Sequence, residues 1–249
     1  MKRILSKMLG GALLFSLTMS LTSCDPYLDD IFGEWSRPTP GNNTSGGGSS
    51  TATYTMAADA AVGDLGKLIC TDGHIHADGA DAECTKDRVA KICYVGSDNG
   101  EAAPYNHGLA LALSDVSSST GCSQTTATCL GHQYDNSTKF NDLAGIANTD
   151  ALVNNAPAGH THAAASAVRN YNSGTHPTGT TEWFLPSAGQ WDKMIGAAGL
   201  SNLGLLENAW YWSSSERNAY NAWIFRSSDG NWGNGGKGGD RQVRACLAF

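Results

Sequence analysis

The sequence predicts an α+β domain over residues 54–249. Two patterns carry this: short apolar, strand-like runs stand near both ends of the segment, and helical spacing occupies its middle. A third sets the domain apart. Residues 36–53 (SRPTPGNNTSGGGSSTAT) have no apolar periodicity and the Gly/Ser/Pro-rich composition of a flexible linker. The length beyond them suffices for one domain with a sizeable core, and no internal repeat interrupts it.

Residues 65–70 (LGKLIC) form a first strand, followed by a turn at Thr71, Asp72 and Gly73. Residues 90–95 (AKICYV) form a second that runs into the turn-rich 96–100 (GSDNG), and 108–113 (GLALAL) form a third. Phe140, Leu143, Ala144 and Ala147 recur at i, i+3, i+4 and i+7, which predicts a helix. Another helix is expected over 162–170, and 183–186 (WFLP) are extended. Ser187 then caps a helix whose Trp191, Met194, Ile195 and Ala198 again share one face. Residues 211–214 (YWSS), 221–225 (NAWIF) and 242–247 (QVRACL) are the closing strands.

The N-terminus reads as a targeting segment. Lys2, Arg3 and Lys7 precede an apolar run over 8–21, too short to span a bilayer comfortably. Residues 21–24 (LTSC) resemble a bacterial lipobox, which implies a signal peptide over 1–23 and lipidation of Cys24; the alternative is an ordinary secretory signal with an incidental Cys. Each acyl chain contributes about 0.8 kcal/mol per buried CH₂, so a multiply acylated Cys24 anchors stably. The acidic run after it (DPYLDD) resembles the surface-export signals of Bacteroidetes lipoproteins, whereas enterobacterial rules would retain such a chain at the inner membrane. The expected location is the outer membrane or cell surface. A flexible tether over 25–53 has a reach of roughly 30 Å, from 5–6 Å × √n.

Residues 1–23 hold three of the 16 basic residues and none of the 23 acidic ones, which leaves a net charge of −10 beyond them. That argues against a nucleic-acid partner, since phosphate binding needs a basic footprint. Six cysteines follow Cys24, an even count that implies disulfides in an exported chain. Spacing suggests Cys84–Cys93 and Cys122–Cys129, with Cys70–Cys246 joining the first strand to the last; buried thiols are the alternative.

His74-Ile75-His76-Ala77-Asp78 could be a metal fragment, and His160-Thr161-His162 repeats the spacing. Neither has the closing Cys or His of a zinc motif, so both read as solvated loop histidines; no metal or cofactor is assigned. Ser213-Ser214-Ser215 has no adjacent His or Asp to activate a nucleophile and reads as a polar strand end.

Residues 213–241 read SSSERNAYNAWIFRSSDGNWGNGGKGGDR, of which 15 in 29 are Ser, Asn or Gly, with Tyr220, Trp223, Phe225 and Trp232 set among them. Antibody loops use this mixture: aromatics give contact area at low entropy cost, and small polar residues give adaptable hydrogen bonds.

Three motifs in order, WFLPSAGQWDKMI, YWSSSE…AWIF…DG and K…QVRACLAF, together with HGLALALSD at 107–115, resemble the C-type-lectin-like domains of bacterial lipoproteins. These are related to the formylglycine-generating-enzyme-like fold. The resemblance covers roughly residues 62–249 and implies that fold, with paired terminal strands, central helices and a loop-rich C-terminal sheet. More narrowly, residues 213–249 look like the variable region of a target protein of a diversity-generating retroelement, in which a reverse transcriptase randomises adenines. The resemblance implies variable ligand binding, to a protein or a glycan, and no catalysis.

Adenine mutation of AAC or AAT codons reaches Asn, Ser, Asp, Gly, Tyr, Arg and Ile but not Trp, Lys, Gln, Glu or Met. On the family pattern the varied positions are Arg217, Asn218, Tyr220, Asn221, Ile224, Arg226, Ser228, Asp229, Asn231, Gly233, Asn234, Gly235, Gly236, Gly238, Gly239 and Arg241, all of the reachable set. Trp212, Trp223, Phe225, Trp232 and Lys237 are the expected scaffold. Tyr220 is the expected anchor. Arg217, Arg226 and Arg241 could pair with carboxylates or stack on rings, and Gly233, Gly235, Gly236, Gly238 and Gly239 would admit φ > 0 and close approach of a ligand. Competing readings are a non-varying adhesin, a carbohydrate-binding module and a formylglycine-generating-type enzyme. The last needs cysteines in its cleft, and Cys246 is the only one in the C-terminal region. A calcium lectin would carry Glu-Pro-Asn or Gln-Pro-Asp, and neither triplet occurs.

Overall fold

In the computed structural model, residues 55–76, 87–121, 129–155 and 161–249 are described, with 117–121 as backbone alone. Among these, ten strands and three α-helices occur: β1 Leu68–Cys70, β2 Ile75–His76, β3 Arg88–Val95, β4 Gly108–Ala112, β5 Ser117–Gly121, α1 Gly145–Asn154, α2 Ala163–Arg169, α3 Ala188–Ala198, β6 Trp210–Glu216, β7 Asn221–Arg226, β8 Trp232–Gly236, β9 Asp240–Val243 and β10 Cys246–Ala248. The architecture is α+β.

One sheet has the order β10-β4-β3-β1-β2 and the other β5-β9-β6-β7-β8. All pairings are antiparallel except β6 with β9. The sequence GLALA of β4 is buried on both faces, as a strand flanked on each side and covered above and below must be. Its alternation sends Ala110 and Ala112 into one core cluster with Ile69, Ile92 and Trp183. Leu109 and Leu111 enter a second with Phe184, Trp191, Met194 and Phe225.

Helix α3 follows from its local sequence. Ser187 Oγ accepts from Gln190 N at 3.3 Å and Gln190 Oε1 accepts from Ser187 N at 3.0 Å, a reciprocal capping box. Trp191 and Met194 are fully buried, and Gly199, at φ 80°, ends the helix. Helix α2 matches the span expected over 162–170.

The helix predicted from Phe140 to Ala147 is corrected. Lys139–Asn141 is a single 3₁₀ turn and α1 starts only at Gly145. Asp142 between them is fully buried. Its carbonyl accepts from Gly189 N at 2.9 Å and Ser187 Oγ at 2.7 Å. Its carboxylate accepts from Ala144 N, Asn148 Nδ2 and Ser215 Oγ. A continuous helix would need that carbonyl for residue 146.

The strand predicted over 242–247 is also divided: β9 belongs to one sheet and β10 to the other. The chain changes sheets at Arg244, which is buried. Its Nε meets Asp115 Oδ1 at 2.7 Å, and its Nη atoms donate to the carbonyls of Ala112 and Gly204. Tyr211 Oη donates to the other Asp115 oxygen at 3.0 Å. Burial is the main cause that pushes the Tyr211 phenol up to about 12.

Candidate functional site

The C-terminal segment is built on the β6-β7-β8 ribbon. Strand β7 is flanked on both sides, and Trp212, Trp223 and Phe225 are buried. Trp232 is half-buried, its ring 5.5 Å from Phe225 and 5.2 Å from Phe140. Ser213, Ser214 and Ser215 lie in β6 and are buried. Ser213 Oγ donates to Trp223 O at 2.8 Å, and Ser215 Oγ donates to Asp142 while accepting from Ala188 N.

Below the β6–β7 turn lies an ion pair that the sequence reading missed. Lys237 Nζ donates to Glu216 Oε1 at 2.5 Å, with both side chains only 1% exposed. Glu216 also accepts from Cys129 N and Leu130 N at 3.1 and 3.2 Å. Lys237 N donates to Tyr220 O at 2.9 Å, so the turn after β6 and the turn after β8 are held side by side. A Glu directly after the three serines of 213–215 was the available signal.

Eleven of the sixteen residues expected to contact ligand divide between the two ends of β7, about 17–20 Å apart for a strand of this length. At one end stand Arg217, Asn218, Tyr220 and Asn221, with Gly236, Gly238 and Gly239 on the adjoining turn. Asn218 Oδ1 accepts from Tyr220 N, Asn221 N and Asn221 Nδ2, which fixes the turn. Tyr220 then projects with 63% of its surface exposed, and the Arg217 guanidinium lies 5.7 Å over the Trp223 ring. At the other end are Arg226, Ser228, Asp229 and Asn231. There Arg226 pairs with Asp229, and Asn231 Nδ2 donates to the same carboxylate. The Arg226 contact holds the Asp229 carboxyl down at about 2. Asn234 is exposed on the edge strand β8, and Arg241 on β9 donates to its neighbour's carbonyl at Asp240.

Two expected contact positions face inward. Ile224 is 4% exposed and belongs to the core. Gly235 pairs with Ala222 in the register and is buried; a Cβ there would stand 3.1 Å from Trp212 and 3.2 Å from Ile224. The glycines at 233, 235, 236 and 239 have no positive φ. Gly233 and Gly235 instead make room for the rings of Trp210 and Trp212.

The expected Cys70–Cys246 disulfide is corrected, while Cys84 and Cys122, one member of each other expected pair, lie outside the described residues. No disulfide joins the described cysteines, Cys70, Cys93, Cys129 and Cys246. Strands β1 and β10 are separated by β3 and β4, which puts Cys70 and Cys246 about 14 Å apart at least, from three inter-strand spacings, beyond a disulfide's Cα reach. Cys93 and Cys246 are core thiols; burial pushes Cys93 up to about 12 and Cys246 well above its ordinary value. Cys129 Sγ meets His162 Nε2 at 3.0 Å. His74, His76 and His162 are buried, not solvated. Cys24, Asp78, Cys84, Cys122 and His160 lie outside the described residues.

A cleft of about 590 Å³ is lined by Glu101, Tyr105, Asp150, Arg169, His176 and Glu182, among others, and takes nothing from residues 213–241. Desolvation raises the Glu101 carboxyl there.

No family model matches the chain, and no curated protein matches it. Among solved structures, the fold is similar to that of a fimbrial protein from Bacteroides ovatus ATCC 8483, with a TM-score of 0.53 and 21% identity. The match covers 74% of this chain and 48% of that one, so this chain spans about half the length of the fimbrial protein.

Proposed function

We propose that the chain is a lipid-anchored surface protein of C-type-lectin-like fold that binds a protein or glycan ligand through the β6–β7 and β8–β9 turns, and that retroelement mutagenesis varies this surface. The observation that carries the reading is the pairing of an exposed tip with a buried foundation. Tyr220 projects beside Arg217, Asn218 and three glycines, while Glu216 and Lys237 are ion-paired beneath it. Tyr and Arg are the residue types most enriched among binding anchors. Tolerance to change belongs on such turns, held by a frame that does not vary. Trp223 and Lys237, which adenine mutation cannot produce, sit in that buried frame.

The surface setting is supported by the lipobox-like LTSC and by the fimbrial description of the Bacteroides ovatus protein. Among the described residues, no helix is long and apolar enough to cross a membrane. The formylglycine-generating reading is disfavoured by Cys246, whose thiol is buried and held protonated. A second reading, a fixed adhesin, is favoured by the far end of β7, where Arg226, Asp229 and Asn231 satisfy one another.

The genomic locus decides between the two. A near-copy of the 3′ coding end that differs only at adenines, beside a reverse transcriptase gene, supports diversification. Its absence sinks diversification and leaves the fixed adhesin.

A further inference from the structure

The β1–β2 hairpin carries a chemistry that the binding surface does not use. Its register pairs Leu68 with His76 and Ile69 with Ile75, which places Cys70 opposite His74, and Cys70 N donates to His74 O at 3.0 Å. Residues opposite one another, or two apart along a strand, share a face. One face of the hairpin therefore carries Ile69 and Ile75, which enter the core. The other carries Cys70, His74 and His76.

These three side chains are buried, at 0%, 6% and 1% exposure. One ligand atom from each lies within 4.8 Å of the other two. The imidazole rings of His74 and His76 have centroids 4.2 Å apart. Ligands of a tetrahedral zinc ion sit about 2.0–2.3 Å from the metal, so mutual separations of this order close around one ion with small side-chain rotations. A thiolate and two imidazoles form a donor set suited to zinc and unsuited to calcium or magnesium. Asp72 contacts His74 Nδ1. A carboxylate on one ring nitrogen fixes the tautomer and leaves the other nitrogen as the metal-facing lone pair, the usual outer partner of a zinc-bound histidine.

The backbone that presents the set is held from both sides. Gly73, at φ 90°, forms the turn, and a Cβ there would meet Thr178 O at 2.2 Å. Gly73 O accepts from Ala57 N at 2.9 Å, and Ile75 N donates to Thr55 O at 2.8 Å. Strand β2 has only two residues at the edge of its sheet. A metal bound by both strands would tie that short edge to β1.

We infer that Cys70, His74 and His76 supply three of the four ligands of a site for a zinc-type divalent transition metal. The site is independent of the proposed binding surface. The test is cobalt(II) substitution of the full-length protein after chelator stripping, followed by zinc competition. The expected result is a tetrahedral cobalt spectrum with a thiolate-to-cobalt charge-transfer band that zinc abolishes and that Cys70→Ser and His76→Asn each remove. Asp72→Asn is expected to weaken binding about 10–100-fold while keeping the band. Zinc should raise the melting temperature of the native protein and leave that of Cys70→Ser unchanged. Three outcomes overturn the inference: no charge-transfer band in the unsubstituted protein, a band that persists in both Cys70→Ser and His76→Asn, or Cys70 recovered in a disulfide by non-reducing peptide mapping. Should Cys70→Ser fail to fold, His76→Asn and Asp72→Asn still decide it.

Discussion

Replacing Lys237 by Met tests the foundation of the proposed binding tip. The substitution keeps an unbranched chain of similar volume and removes the charge, leaving the Glu216 carboxylate buried without its cation. Removing one partner of a buried pair typically costs 3–5 kcal/mol. Glu216 retains two main-chain donors, Cys129 N and Leu130 N, which offset part of the loss. The expected cost is therefore near the lower end, about 3 kcal/mol. For a domain of 150–250 residues this lowers Tm by roughly 6–12 °C. Urea titration of the far-ultraviolet signal with a parallel thermal melt measures both. Glu216→Gln with Lys237→Met should recover part of the loss, because the stranded charge is then gone. A Lys237→Met protein within about 0.5 kcal/mol of the parent, the scatter of ordinary surface substitutions, would refute the reasoning.

Gly235→Asn is predicted to cost about 1–3 kcal/mol by crowding Trp212 and Ile224, while Gly236→Asn, whose added Cβ meets nothing within 4 Å, should be neutral; equal urea midpoints for the two would contradict this. Cys93 and Cys246 should resist iodoacetamide at pH 8 in the native protein and react on unfolding, because burial holds both thiols protonated; mass spectrometry showing native alkylation at either would overturn it. Desolvation raises the folded-state Glu101 carboxyl above its ordinary 4.5. The native state then binds this proton more tightly than the unfolded chain, so the group's contribution to stability falls as pH rises through that window. Glu101→Gln should accordingly raise Tm at pH 7 and lose its advantage below about pH 4; a lower Tm at pH 7 would count against the assignment.

Helix α3 was legible because its determinants are local: Ser187 and Gln190 close the capping box, and Trp191 and Met194 follow at helical spacing. The helix expected from Phe140 was not, because the competing contacts of Asp142 come from residues 45 and 73 positions away. Strand β8 (WGNGG) has almost no intrinsic strand preference and exists because β7 pairs along its whole length. The family resemblance implied which residues of 213–241 are expected to vary, but only the register showed that most of them fall at two ends of one strand. Pairing across the hairpin likewise brings His74 and His76 to Cys70, a relation invisible while the histidines read as loop residues. The expected Cys70–Cys246 bridge failed because an even cysteine count carries no distances.

Deep sequencing of the codons for residues 213–241 across a natural population tests the central claim most directly. The account predicts substitutions concentrated at Arg217, Asn218, Tyr220, Asn221, Gly236, Gly238 and Gly239, drawn from the residues reachable by adenine mutation. Glu216, Trp223, Phe225 and Lys237 should be unchanged. An invariant segment, or substitutions scattered equally over the buried frame and the exposed turns, would contradict it.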